Sequence, residues 1–305
     1  MRKCVGRGRP RGVAFVFWIS LVIAGPAAWA QDLPEGDAER GEYVFQLAGC
    51  LGCHTDSAND GAPLAGGRIL NTDFGSFVTP NITPDPEHGI GGWTLAEFDR
   101  ALRDGIGPDG TTYYPSFPYD YFTGMEDQDV ADLYAYLMAQ PASDNAVSEH
   151  DLNFPFDMRF LLFFWRMLYF EPGPEAADPE RDETWHRGRY LVDALGHCGA
   201  CHTPRTWLGG TDTDLYLAGN GNGPDGDLVP NITPNIETGI GSWSELDMML
   251  LLRAGLLPDG DAVGSDMAEV VRNSTRALSD EDAAALIAYL ANIPPIDNRP
   301  VRGEP

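Results

Sequence analysis

A chain of 305 residues, 43% of them hydrophobic, has apolar material for more than one small folded unit. Its 20 basic against 46 acidic side chains give a formal charge of −26, which excludes nucleic acid as a partner and disfavours anionic lipid headgroups. The same acidity attracts basic proteins over distances that salt shortens.

The chain opens with a secretion signal over residues 1–30. Arg2, Lys3, Arg7, Arg9 and Arg11 form a basic start, residues 13–24 an apolar run, and Ala28-Trp29-Ala30 suits a signal peptidase. The run is about a dozen residues, short of the roughly 20 that a membrane span needs. The mature chain is expected to begin near Gln31, in the periplasm and without Cys4. Losing the signal leaves 15 basic residues against 46 acidic ones, near −31, and no lysine.

Residues 31–141 carry the first unit. A helix over 37–48 leads into Cys50-Leu51-Gly52-Cys53-His54, followed by a Gly- and Pro-rich loop containing Pro80-Asn81-Ile82-Thr83-Pro84 and Gly89-Ile90-Gly91-Gly92-Trp93. A middle helix starts after Trp93, and a closing helix over 126–138 stops before Pro141. Residues 142–183 join the units. Their centre is aromatic, with Phe154, Phe156, Phe160, Phe163, Phe164, Trp165, Tyr169 and Phe170 around Arg159 and Arg166. The rings predict a helix over 157–169 wedged between the units, with a docking surface for a subunit or membrane as the alternative.

The second unit, residues 184–296, repeats the plan before a tail over 297–305. A helix over 184–195 leads into Cys198-Gly199-Ala200-Cys201-His202; Pro230-Asn231-Ile232-Thr233-Pro234 and Gly239-Ile240-Gly241-Ser242-Trp243 follow, and Ser279 caps a closing helix over 279–292. The cysteine motifs are offset by 148 residues, the proline blocks by 150 and the closing Ala-Tyr-Leu triplets by 153. Small insertions separate two homologous copies.

Cys-x-x-Cys-His is the attachment motif of c-type haem: two thiols bond the porphyrin and the adjacent imidazole ligates iron. A four-thiolate zinc site, dithiols or disulfides would use the cysteines but leave His54 and His202 spare. Two covalent haem c groups on Cys50, Cys53, Cys198 and Cys201 are therefore expected, with His54 and His202 as axial ligands. Met267, in a loop ahead of the closing helix, is the candidate sixth ligand of the second iron, against a packing role. Met125 is the nearest thioether in the first unit, yet it aligns with apolar Leu278, so a packing role, a different ligand or an open iron all stand. Trp93, Trp243, Arg68 and Arg205 could reach haem propionates, or the tryptophans could simply pack.

The sequence resembles the cytochrome c subunits of membrane-bound quinoprotein and flavoprotein alcohol, gluconate and aldehyde dehydrogenases. The likeness rests on Asn81-Ile82-Thr83-Pro84 with Gly89-Ile90-Gly91, on Phe154-Pro155-Phe156 followed by Arg159 and Trp165, on Arg187-Gly188-Arg189-Tyr190-Leu191, and on Gly196-His197-Cys198 through His202-Thr203-Pro204-Arg205. It implies an all-α fold of two tandem class I cytochrome c domains joined by an aromatic-rich helical linker. It implies electron transfer from a donor dehydrogenase to an acceptor cytochrome or oxidase, with membrane association only through a partner. The family typically has three haem domains; two motifs occur here. Tyr114-Pro115-Ser116-Phe117-Pro118-Tyr119 resembles the family's ligand loop, with Phe117 where methionine is usual. By likeness to small cytochromes c, a carbonyl near Pro63 would accept from His54, with no evident equivalent after His202. The alternative function is a haem enzyme using an open first iron; no distal catalyst near Phe117 supports it, and His88 aligns with Thr238 in an ordinary loop.

Overall fold

A computed structural model describes residues 33–303. The expected signal, residues 1–30, and Cys4 lie outside the described residues. The structure is mainly helical, as expected, and the order of the main helices in the first half recurs in the second, without the strands.

Helix α1 (Ala38–Leu47) starts at Asp37, whose carboxylate accepts from the Glu39 and Arg40 amides. Gly49, at φ 66°, turns the chain into the short α2 (Cys50–Cys53). Strands β1 (Ile69–Thr72) and β2 (Gly75–Val78) form an antiparallel hairpin. A Thr94/Glu97 capping box starts α3 (Leu95–Asp104), and left-handed Gly105 ends it. Then come α4 (Tyr119–Phe122) and α5 (Asp127–Met138). In the second half, α7 (Glu183–Arg189) runs on as π-helical turns over Tyr190–Leu195 before α8 (Gly199–His202). Helices α9 (Glu245–Ala254), α10 (Ser265–Asn273) and α11 (Asp280–Asn292) complete it, with a Ser244/Asp247 capping box on α9 and Ser279 capping α11.

Glycine sets the main helix crossings. A Cβ at Gly41 of α1 would lie 2.0 Å from the Asp132 carbonyl oxygen on α5, and one at Gly188 of α7 would lie 2.1 Å from that of Ala285 on α11. Beside each glycine an arginine forks onto a carboxylate: Arg40 onto Asp132 and Arg187 onto Asp282, each through two bonds of 2.7 Å. Val44, Phe45, Leu133 and Leu137 of the first half and Leu191, Leu195, Leu286 and Leu290 of the second belong to one continuous core.

The joining segment departs from expectation in two ways. It adds β3 (Asp151–Leu152) to the hairpin, giving a sheet ordered β1-β2-β3. Its helix, a 3-10 turn over Arg159–Leu161 continuing as α6 (Leu162–Tyr169), fills the expected 157–169 but for its first two residues, yet it is no buried wedge, because only one narrow stripe, Leu162 and Trp165, is buried. Leu162 joins a small second core with Phe77 and Tyr114, while Phe154, Phe163 and Met167 are 79%, 65% and 69% exposed. Arg159 pins the segment to the first half by donating to the Thr112 carbonyl at 2.7 Å, and Arg166 by donating to the Asp104 carbonyl at 2.5 Å. Among the described residues, no helix is long and apolar enough to cross a membrane.

Candidate functional site

Each cysteine pair lies on a single helical turn entered from a left-handed residue, Gly49 before Cys50 and His197, at φ 39°, before Cys198. The turn closes when the amides of His54 and His202 donate to the Cys50 and Cys198 carbonyls, both at 3.0 Å. Two thiols and an imidazole thus come from five consecutive residues.

His54 is half-buried and His202 buried. Each imidazole Nδ1 lies 2.8 Å from a carbonyl oxygen, Pro80 for His54 and Pro230 for His202. A carbonyl only accepts, so Nδ1 carries the proton and Nε2 is left with the lone pair that a metal takes. Burial holds both imidazoles below the usual histidine range, which keeps them neutral. The acceptor expected near Pro63 is therefore Pro80, and the second histidine has its counterpart. Each proline block is held back against the loop after its motif, where Ile82 donates its amide to the Leu64 carbonyl at 2.9 Å and Ile232 does the same to Leu217, and it is this block that brings the Pro80 and Pro230 carbonyls to the histidines.

The repeated proline blocks explain how those carbonyls are held. Asn81, 3% exposed, accepts through Oδ1 from the Thr83 amide at 2.9 Å and hydroxyl at 2.7 Å, and donates from Nδ2 to the Ser143 and Asn145 carbonyls at 2.8 and 3.1 Å. Asn231 does the same with Thr233, Ile296 and Asn298. In the sequence these blocks establish the repeat and carry part of the family likeness, without pointing to the histidines. Their recurrence at one offset was the signal that they serve each motif.

Burial pushes the thiols of Cys50 and Cys198 up to about 12 and that of Cys201 to about 11, and raises Cys53. Among the described residues, no group of three or more His, Cys, Asp or Glu could hold a bare metal ion. Two thiols one turn apart beside a neutral, oriented imidazole fit covalent haem c instead.

Met267 stands in the first turn of α10, a helix rather than the expected loop, and is half-buried. Met125 is 2% exposed in the continuous core, as is its counterpart Leu278 at 3%. The Phe117 ring packs on Tyr113 and Phe122, with centroids 6.2 and 5.7 Å apart. Trp93 and Trp243 lie half-buried against the core, where the Trp93 carbonyl accepts from the Tyr134 hydroxyl at 2.6 Å. Arg68 and Arg205 sit against the attachment loops. Arg68 donates to the Gly52 carbonyl at 2.5 Å and Arg205 to that of Ala200 at 3.5 Å.

The halves meet through paired contacts. Tyr43 donates its hydroxyl to Asp282 at 2.7 Å and accepts from the Ser279 amide at 3.1 Å; Tyr190 donates to Asp129 and accepts from the Glu126 amide at 3.4 Å. Beneath the second motif, Asp193 accepts from the Tyr216 and Tyr289 hydroxyls, and burial pushes its carboxyl up to about 6. No sequence signal singled out Asp193.

A Cytochrome c family model matches residues 38–141. The chain is 47% identical over 270 residues to a diheme cytochrome c-type protein of Cereibacter sphaeroides, covering 86% of this chain and 88% of that one. It is 42% identical to the fructose dehydrogenase cytochrome subunit of Gluconobacter japonicus and 40% identical to the alcohol dehydrogenase (quinone) cytochrome c subunit of Gluconobacter oxydans, over 84% and 90% of its length. It spans only 52% and 59% of those two relatives.

Proposed function

Because the chain belongs to the dihaem cytochrome c family, whose relatives include cytochrome subunits of fructose and alcohol dehydrogenases, we propose that it is a periplasmic electron carrier with two class I cytochrome c domains. Residues 31–141 and 184–296 would each hold one haem c, which supplies a one-electron iron couple and makes or breaks no substrate bond. A donor dehydrogenase would reduce it, and an acceptor cytochrome or oxidase would take the electron toward the respiratory chain.

The observation that carries this reading is the pair of matched imidazoles, each with Nδ1 satisfied at 2.8 Å by a proline carbonyl and Nε2 free to ligate. Cys50 and Cys53, and Cys198 and Cys201, tether the group. His54 and His202 provide the proximal nitrogen. Met267 supplies a thioether to the second iron, which favours the ferrous state and raises its potential; Met125 is the candidate for the first.

The test is haem content of the purified chain with optical spectra of the dithionite-reduced form before and after carbon monoxide. Two haems that both refuse the gas are expected of a carrier with both irons six-coordinate. H54A and H202A should each lose one haem's spectrum. Unchanged spectra in both variants would remove the haem reading, and ready gas binding by one haem would favour the open-iron enzyme.

A further inference from the structure

The two attachment loops are linked by a pair of crossed arginines. Arg68 belongs to the first half. Besides Gly52 of its own loop, it bonds Glu269 of α10 at 3.1 Å and lies 3.7 Å from Asp266, and these acids flank Met267. Arg205 belongs to the second half. Besides Ala200 of its own loop and the Thr211 hydroxyl at 3.2 Å, it lies 3.7 Å from Asp120, three residues after Phe117. Gly52 and Ala200 are offset by 148 residues and Phe117 and Met267 by 150, the offsets of the repeat itself. Each arginine therefore ties its own cysteine loop to the acid beside the other half's sixth-ligand position.

The surroundings make these charges count. Arg68 and Glu269 are each about one-quarter exposed and Asp120 is 10% exposed, so solvent screens them little. One oxygen of Asp120 is buried without a hydrogen-bond partner, which leaves Arg205 as its compensation.

We infer that Arg68 and Arg205 are positioning residues that hold the two haem loops in register and set the reduction potentials of both irons at once. The inference rests on the reading that each motif holds a haem. A cation near an iron favours the reduced, less positive state, and a carboxylate opposes it. Removing either arginine withdraws the cation and unmasks its acids, so both effects point downward. Because each arginine bridges a loop of one half and an acid of the other, both irons feel the loss.

The experiment is spectroelectrochemical titration of both haems in the holoprotein, with haem content on each sample. R68Q and R205Q, with two haems retained, should each shift both midpoint potentials down. R68K, which keeps the charge, should stay near the unaltered protein. E269Q alone should shift them up, a readout that survives if R68Q does not fold, and R68Q/E269Q should recover part of the R68Q shift. R253Q, which breaks the Arg253–Asp280 pair elsewhere, should change nothing. Two bound haems with unchanged potentials in R68Q, R205Q and E269Q, or a shift confined to one haem, would overturn the inference. Fewer than two haems in the unaltered chain would overturn the haem reading beneath it.

Discussion

At the scale of single residues, the proposed tethers and ligands were legible and the groups that orient the histidines were not. Cys50, Cys53, His54 and their counterparts announce themselves by spacing. The acceptors of the histidines are main-chain carbonyls, which carry no residue identity, so the proline blocks that hold them read as a repeat and a family likeness, not as histidine partners. Asn81 shows what that hides. N81A would strand the buried Thr83 amide and two carbonyl acceptors, at a cost of about 2–4 kcal/mol. Chemical denaturation should show this loss together with a perturbed first-haem spectrum; a stability change under 0.5 kcal/mol, on the order of an ordinary surface substitution, would show that the block is not the support. Asp193 gives a pH effect of defined sign. Its folded carboxyl is raised to about 6, so it binds its proton more tightly than the unfolded chain does. That contribution is fully present below about pH 4 and is lost as pH rises through about 6, amounting to at most about 3 kcal/mol. The stability difference between the unaltered protein and D193N should therefore change across this window, and a flat difference between pH 4 and 7 would refute it.

At the scale of elements, helix starts were readable because capping chemistry is local. Ser279 caps α11 as its sequence suggests. Elements whose placement depends on packing were less legible. Helix α10 was read as loop, since only its tertiary neighbours distinguish Ser265–Asn273 from the glycine- and aspartate-rich stretch before it. Helix α6 was read as buried because eight aromatic rings suggest a core, whereas its length allows one buried stripe. The glycines at the helix crossings are the sharpest elemental requirement. G41A and G188A each drive a methyl to about van der Waals overlap with a backbone oxygen of the opposing helix, so the helices must part. Each should cost about 3 kcal/mol or more by thermal or denaturant unfolding. G92A, whose Cβ would meet only the Pro86 carbonyl oxygen at an ordinary 3.7 Å, is the control and should be nearly neutral.

At the scale of the whole molecule, the repeat was legible from three nearly equal offsets, but the sharing of one core was not. Offsets report ancestry, while burial reports which surfaces closed on each other. Leu133 and Leu286 lie in the same cluster, so neither half can unfold without exposing the other's apolar surface. Calorimetry should give a single cooperative transition, with calorimetric and van't Hoff enthalpies in agreement. Two resolved transitions would mean that the halves are energetically separate.

The tyrosine contacts between the halves are made twice, once in each direction, which is how a two-fold homodimer uses one patch against itself. In a symmetric dimer every substitution strikes both sides together. Inside one polypeptide each side can change alone, and the chain records such independent change: Arg40 forks onto Asp132, whereas Arg187 forks onto Asp282, the aspartate that Tyr43 also engages. Phenylalanine at 117 against methionine at 267 is the same freedom exercised at the two positions proposed for sixth ligands, where one side chain can offer a thioether and the other cannot.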